Sequence, residues 1–181
     1  MTPPFLPAFG GWLHTLGEDV LSLAHLLESP DAPEPFRAAS AESLSYLLRA
    51  ADLIPEGIEQ LGYLEVAFAF RVLARRALGE GDAGAGSLEG RVPRLAAEAA
   101  VVVDFLGDDS SSFSELVLTP AVLPHASRPA ADLLDDAELR ATTLEHARAW
   151  VELYRAPELA AGEEELVKIR AFFRTRLRRA S

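Results

Sequence analysis

A chain of 181 residues with 28 acidic and 17 basic side chains, net charge −11, is long enough for one well-buried domain and short for two. Its 49% hydrophobic and 25% charged residues are ordinary globular usage, which argues against a disordered chain. It has no cysteine, so disulfide frameworks, thiolate metal sites and cysteine nucleophiles are excluded.

Apolar residues recur at helical spacing almost throughout, and no alternating stretch of useful length reads as a strand. The expected fold is therefore all-α, a single irregular bundle of six or seven helices spanning residues 1–181. Met1 to Pro7 is proline-rich and lacks the charged start and apolar centre of a secretory signal, so a cytoplasmic protein is expected. The first helix is expected from about Phe9 to Leu27, with Trp12, Leu13, Leu16, Val20, Leu23 and Leu27 on its inner stripe. Ser29-Pro30, Pro33 and Pro35 end it. His14, Glu18 and His25 share another face with Gly17, Ser22 and Glu28, the pattern of a solvated side rather than a metal site.

A second helix is expected from Pro35 to about Ala50, since proline suits a first helical turn, with Phe36, Leu44, Leu47 and Leu48 facing inward. Pro55 breaks the pattern, and a third helix follows from about Ile58 to Leu78, with Gly62 as a site for a bend. The nearest approach to a membrane span, Val66 to Leu73, is interrupted by Arg71 and falls far short of the roughly 20 residues required. Residues 79–90 contain glycine at 79, 81, 84, 86 and 90 and read as a flexible connector.

The fourth helix, about Val92 to Leu106, is apolar nearly all round apart from Glu98 and Asp104, so it is expected at the centre of the bundle. Gly107 to Ser112 reads as a loop rich in helix-capping residues, and Pro120, Pro124 and Pro129 allow only short helical pieces before Asp132. Two last helices are expected at about Asp136–Arg155 and Pro157–Arg179. The final one sets Leu166, Ile169, Phe173 and Leu177 on one stripe, flanked by Arg170, Arg174 and Arg178.

Six basic residues and no acids lie between Leu166 and Ser181, which leaves the rest of the chain 11 basic against 28 acidic residues, a balance of −17. Such a body repels phosphate backbones, so no nucleic-acid partner is expected. A basic amphipathic helix on it can fold back onto the acidic surface, dock into a partner groove or lie on anionic membrane.

The segment Tyr46-Leu47-Leu48-Arg49-Ala50-Ala51-Asp52-Leu53-Ile54-Pro55-Glu56-Gly57-Ile58-Glu59-Gln60-Leu61-Gly62-Tyr63-Leu64-Glu65 resembles the core motif of the YkvA-like family of unknown function. The resemblance covers about residues 36–76 and rests on Asp-Leu-Ile-Pro-acid followed by Gly-Tyr-Leu-acid. The family usually has a second proline where Glu59 stands here and a second acid where Val66 stands. It implies a helical fold and no particular activity. Physically, Asp52 can accept from exposed amides at a turn, Pro55 sets the exit angle, and Gly62 permits close helix approach. Tyr63 can bury its ring while keeping its hydroxyl paired. The alternative use of these residues is an oxygen-rich site for a hard divalent cation on Asp52, Glu56 and Glu65, which the loss of the second acid at Val66 weakens.

Other motifs reduce to structure. Gly79-Glu80-Gly81-Asp82-Ala83-Gly84 matches G-x-G-x-x-G, but it follows a helix and carries two acids where pyrophosphate would lie. Glu145-His146 has threonine at 142 and alanine at 149, so the zinc-protease pattern fails, and Ser110 to Ser112 lack a nucleophile context. His125 and His146 are distant in sequence from His14 and His25 and offer them no close partner. The expectation is a non-enzymatic protein with no cofactor, acting through another protein or self-association. Its contacts are expected at the corner (Asp52, Pro55, Gly62, Tyr63) or on the last helix (Arg170, Phe173, Arg174, Leu177). A peripheral membrane protein using the basic helix, and a metal-dependent protein using Asp52, Glu56 and Glu65, are the alternatives.

Overall fold

The computed structural model describes residues 5–51, 57–80, 90–119 and 122–180. Among them the chain is all-α, with seven α-helices: α1 (Phe5–Glu28), α2 (Glu34–Ala51), α3 (Glu59–Glu80), α4 (Arg91–Leu106), α5 (Ser110–Leu118), α6 (Ala137–Leu153) and α7 (Glu163–Ala180). Short 3₁₀ turns precede α5 (Gly107–Asp109) and α6 (Ala130–Leu134). No helix of the described residues is long and apolar enough to cross a membrane.

Three helices carry a proline in their first turn: Pro7 in α1, Pro35 in α2 and Pro93 in α4. The first amides of a helix have no intrahelical acceptor, so a residue without one costs nothing there. This is why α1 starts at Phe5, four residues before the expected Phe9, and runs through Pro7. At the other end α7 starts at Glu163 rather than near Pro157. Tyr154 leaves α6 in extended geometry (φ −61°, ψ 132°), and Gly162 sits at φ 108°, a value that rules out helix until the next residue. The expected loop at 107–112 is mostly helical too. A 3₁₀ turn passes straight into α5, so Ser110 to Ser112 lie inside its first turn, and no side chain of Asp109 caps it. Asp136 does cap α6, accepting from the Leu139 amide at 2.9 Å.

The central helix is α3, not α4. Leu64, Val66, Ala67, Phe68, Ala69, Phe70, Leu73, Ala74 and Ala77 are buried on every side of it, and α1, α2, α4, α5 and α7 all pack on it. In α4, Ala97, Ala100, Val103 and Asp104 face solvent while Val92, Leu95, Ala96, Ala99, Val102 and Phe105 face the core. Alanine and valine are small or weakly distinguishing residues, tolerated on either face, so an apolar count misplaced α4. Helix α3 runs unbroken through Gly62, with no bend there to mark the glycine.

Phe68 of α3 anchors an aromatic cluster drawn from five helices. Phe173 of α7 stacks on it at 4.8 Å, Phe9 of α1 lies at 5.1 Å, and Phe105 of α4 and Phe113 of α5 meet it edge-on at 6.0 and 6.2 Å. Offset stacking and edge-to-face contacts suit the ring quadrupole and add about 0.5–1.5 kcal/mol per pair beyond area burial. The cluster fixes α7 to the body through Ile169, Phe173 and Leu177, the inner stripe of its sequence pattern.

Candidate functional site

The two regions expected to carry function are joined. Tyr46, on the buried half of α2, donates its hydroxyl to Glu65 Oε1 of α3 at 2.5 Å. Arg176 of α7 donates from Nε to both oxygens of the same carboxylate, at 3.3 and 3.4 Å. The Arg49 guanidinium lies 5.0 Å from the centre of the Tyr46 ring. Burial first, then the charge of Glu65, pushes the Tyr46 phenol well above its ordinary value, so it stays a protonated donor. Tyrosine, carboxylate and arginine thus form a closed clamp between α2, α3 and α7.

Gly62 is buried in α3, and the half-buried Tyr63 ring stands edge-on to Trp150 at 5.7 Å and to Tyr154 at 5.1 Å. Trp150 and Tyr154 stack at 4.6 Å, and the Tyr154 hydroxyl donates to the Leu13 carbonyl at 2.7 Å. A Cβ at Gly17 would lie 3.7 Å from both Tyr154 and Val151, so part of the α1 face read as solvated is covered by the α6 end. His14, Glu18 and His25 on that face are exposed as expected. Burial and the charge of Glu59 raise the Tyr63 phenol above its usual range.

Of the proposed cation ligands only Glu65 is described; Asp52 and Glu56, like Pro55, lie outside the described residues. A cation there would have to draw Glu65 away from Tyr46 and Arg176. Among the described residues no group of three or more His, Asp or Glu side chains is arranged to hold a metal.

On α7, Phe173 (1% exposed) and Leu177 (6%) face inward, so as the molecule stands they bind the body rather than a partner. The outward face carries Val167, Lys168, Ala171, Arg174 and Arg178 at helical spacing. Arg170 lies 5.1 Å from the centre of the Phe105 ring, and Arg174 pairs with Asp109 at 3.2 Å across an exposed surface. Arg178 and Arg179 are exposed and pair with no acid among the described residues.

Two groupings were not foreseen. The first is a buried charge network between α1, α3 and α4. Arg71, fully buried, donates to the Ala67 carbonyl at 2.8 Å and to Glu98 at 2.6 Å, with its guanidinium 3.8 Å from the centre of the Trp12 ring. Asp19, also fully buried, is held by Arg94 and, at 3.3 Å, by Arg91. Burial lowers the Arg71 value to about 10, and burial lifts Asp19 above the ordinary carboxylate range in spite of Arg94, Arg71 and Arg91. Both residues sit within otherwise apolar helical stripes, and that interruption is the signal the sequence carries for them.

The second is a histidine pair. The chain folds back through a turn closed by Leu123 N to the Arg128 carbonyl (2.8 Å) and Ser127 N to the Leu123 carbonyl (2.8 Å), with Ser127 at φ 52°. This turn places His125 edge-to-face with His146 of α6, ring centres 4.8 Å apart. The pair opens on a cleft of about 360 Å³ walled by Leu48, Pro124, Ala149 and Trp150. Burial and the neighbouring His146 hold His125 below its usual value. No spacing rule connects residues 21 apart across a turn and a helix, so nothing in the sequence indicated the pair.

Comparison with protein-family models, curated proteins and solved structures finds no match for this chain.

Proposed function

We propose that this chain is a non-enzymatic helical module that recognises another protein through the outward, basic face of α7, its partner presenting an acidic surface. The observation that carries the reading is the division of labour on α7. Ile169, Phe173 and Leu177 hold it down, while Lys168, Arg174, Arg178 and Arg179 point away from the core around the exposed Val167. Exposed arginines flanking an apolar residue favour protein contacts, because arginine offers planar, multidentate donors to carboxylates. A concentrated positive face on an otherwise acidic molecule also steers an acidic partner in and holds the module's own acidic surface away from it. The Tyr46–Glu65–Arg176 clamp presents this face in fixed register with the signature corner.

The same division weighs against the membrane alternative. Insertion of a basic amphipathic helix uses its apolar stripe, and here that stripe is occupied by the aromatic cluster. Kinship with the YkvA-like family belongs to this proposal, supported by the contact between two of the residues that carry the resemblance, Tyr46 and Glu65.

Affinity capture from the native host with the full chain, against an R174E/R178E variant, tests the reading. The expected result is an acidic partner retained by the wild type, lost with the variant, and released progressively as salt rises. Recovery of the same partners by both proteins overturns it. Light scattering separates self-association, and flotation with anionic vesicles that carries the wild type but not the variant would favour a membrane surface instead.

A further inference from the structure

We propose that His125 and His146 form a two-imidazole site for a borderline divalent transition cation such as Zn²⁺, Ni²⁺ or Cu²⁺. The site is independent of the α7 face and goes beyond the reading given for it.

Spacing is the first argument. An imidazole nitrogen about 2.0–2.1 Å from such an ion puts its ring centre about 3.2 Å away, so two imidazoles sharing an ion at a tetrahedral angle have centres about 5.2 Å apart. The observed separation is 4.8 Å. The ring centres already stand close to that distance, but they meet edge to face at 84°, so sharing an ion requires the exposed His146 side chain to turn.

Proton bookkeeping is the second. Thr143, fully buried, donates its hydroxyl to the Leu139 carbonyl at 2.9 Å, and its oxygen also lies 3.1 Å from His125 Nε2. A hydroxyl has one proton to give. With that proton on Leu139, the threonine oxygen accepts from His125, so Nε2 carries the ring proton and Nδ1 keeps its lone pair. Fixing the ligand tautomer through a hydrogen bond to the far nitrogen is how proteins prepare a histidine for a metal.

The third argument is support and access. Leu123, with no exposed surface, and the hydrogen-bonded turn hold the His125 backbone, and both rings reach solvent, giving an ion entry and room for water at its remaining positions. Two neutral nitrogen ligands select borderline transition cations over Mg²⁺ and Ca²⁺, which demand oxygen.

Calorimetric titration of the full chain with Zn²⁺ and with Ni²⁺, with Mg²⁺ as control, tests the site, and circular dichroism checks that each variant is folded. The expected result is one ion per chain with Zn²⁺ and Ni²⁺ and no heat with Mg²⁺. Binding is lost in H125A and in H146A, kept in an H14A/H25A variant, and weakened about 10–100-fold in T143V, which removes the supporting hydrogen bond at nearly constant shape. Nitrogen-15 shifts of the metal-free protein are expected to show His125 protonated at Nε2. No binding of either ion by the wild type, or binding that survives an H125A/H146A double variant, overturns the proposal, and so does an Nδ1-protonated His125.

Discussion

Arg71 shows what a single side chain does in this fold. Its guanidinium is sealed between Trp12, Glu98 and the Ala67 carbonyl, and its Nε finds no acceptor among the described residues. A buried charge is expensive to desolvate, and losing its partners costs more than replacing the whole arrangement with apolar atoms. R71A removes the packing against Trp12 and leaves a cavity, with an expected loss of about 3–5 kcal/mol in urea unfolding. R71M fills much of the same volume and is expected to cost under about 1.5 kcal/mol, because Glu98 keeps Arg94 at 3.0 Å and is partly exposed. Equal losses for the two variants would mean that the charge itself, not the packing, holds the site.

At the scale of the element, α7 is the informative case. Its 18 residues run from three acids in the first turn to two arginines in the last, the arrangement its dipole favours at both ends. Its periodicity made the inner stripe readable, and Ile169, Phe173 and Leu177 are indeed buried. What that stripe packs against was not readable, since Phe173 stacks on Phe68, more than a hundred residues earlier. F173A is expected to cost about 3–5 kcal/mol and to raise amide exchange across α7 more than across α2. Uniform exchange changes would instead make α7 an inseparable part of the core. Helix α4, apolar nearly all round yet with one face in solvent, obeys the same limit. Hydrophobic content does not rank helices by depth when the residues are alanine and valine, whereas the phenylalanines of α3 must be enclosed.

For the molecule as a whole, the buried network ties three helices into one electrostatic unit, and its pH dependence has a definite sign. Asp19 is raised above the ordinary aspartate value of 3.8 by burial, so on folding it takes up a proton between that value and its folded one. Its contribution is fully present below pH 3.8 and is lost as pH rises through the folded value. D19N cannot titrate. The stability of the wild type minus that of D19N is therefore expected to fall as pH rises above about 3.8 and to level off once the folded value is passed, measured by chemical unfolding of both proteins in parallel. A difference that grows over this range would show that Arg94 and Arg91 outweigh desolvation.

Local chemistry settles the helical class and most element boundaries. The 3.6-residue apolar period and the prolines near helix starts each act within a few residues of themselves, whereas α7 begins after Gly162 rather than near Pro157. Local chemistry also marks the interrupted stripes at Asp19 and Arg71. Tertiary packing alone decided that α3 lies at the centre, that Glu65 closes on Tyr46 and Arg176, and that His125 meets His146. Those outcomes depend on which surfaces exclude water together, a property of residue pairs that no short window of sequence contains.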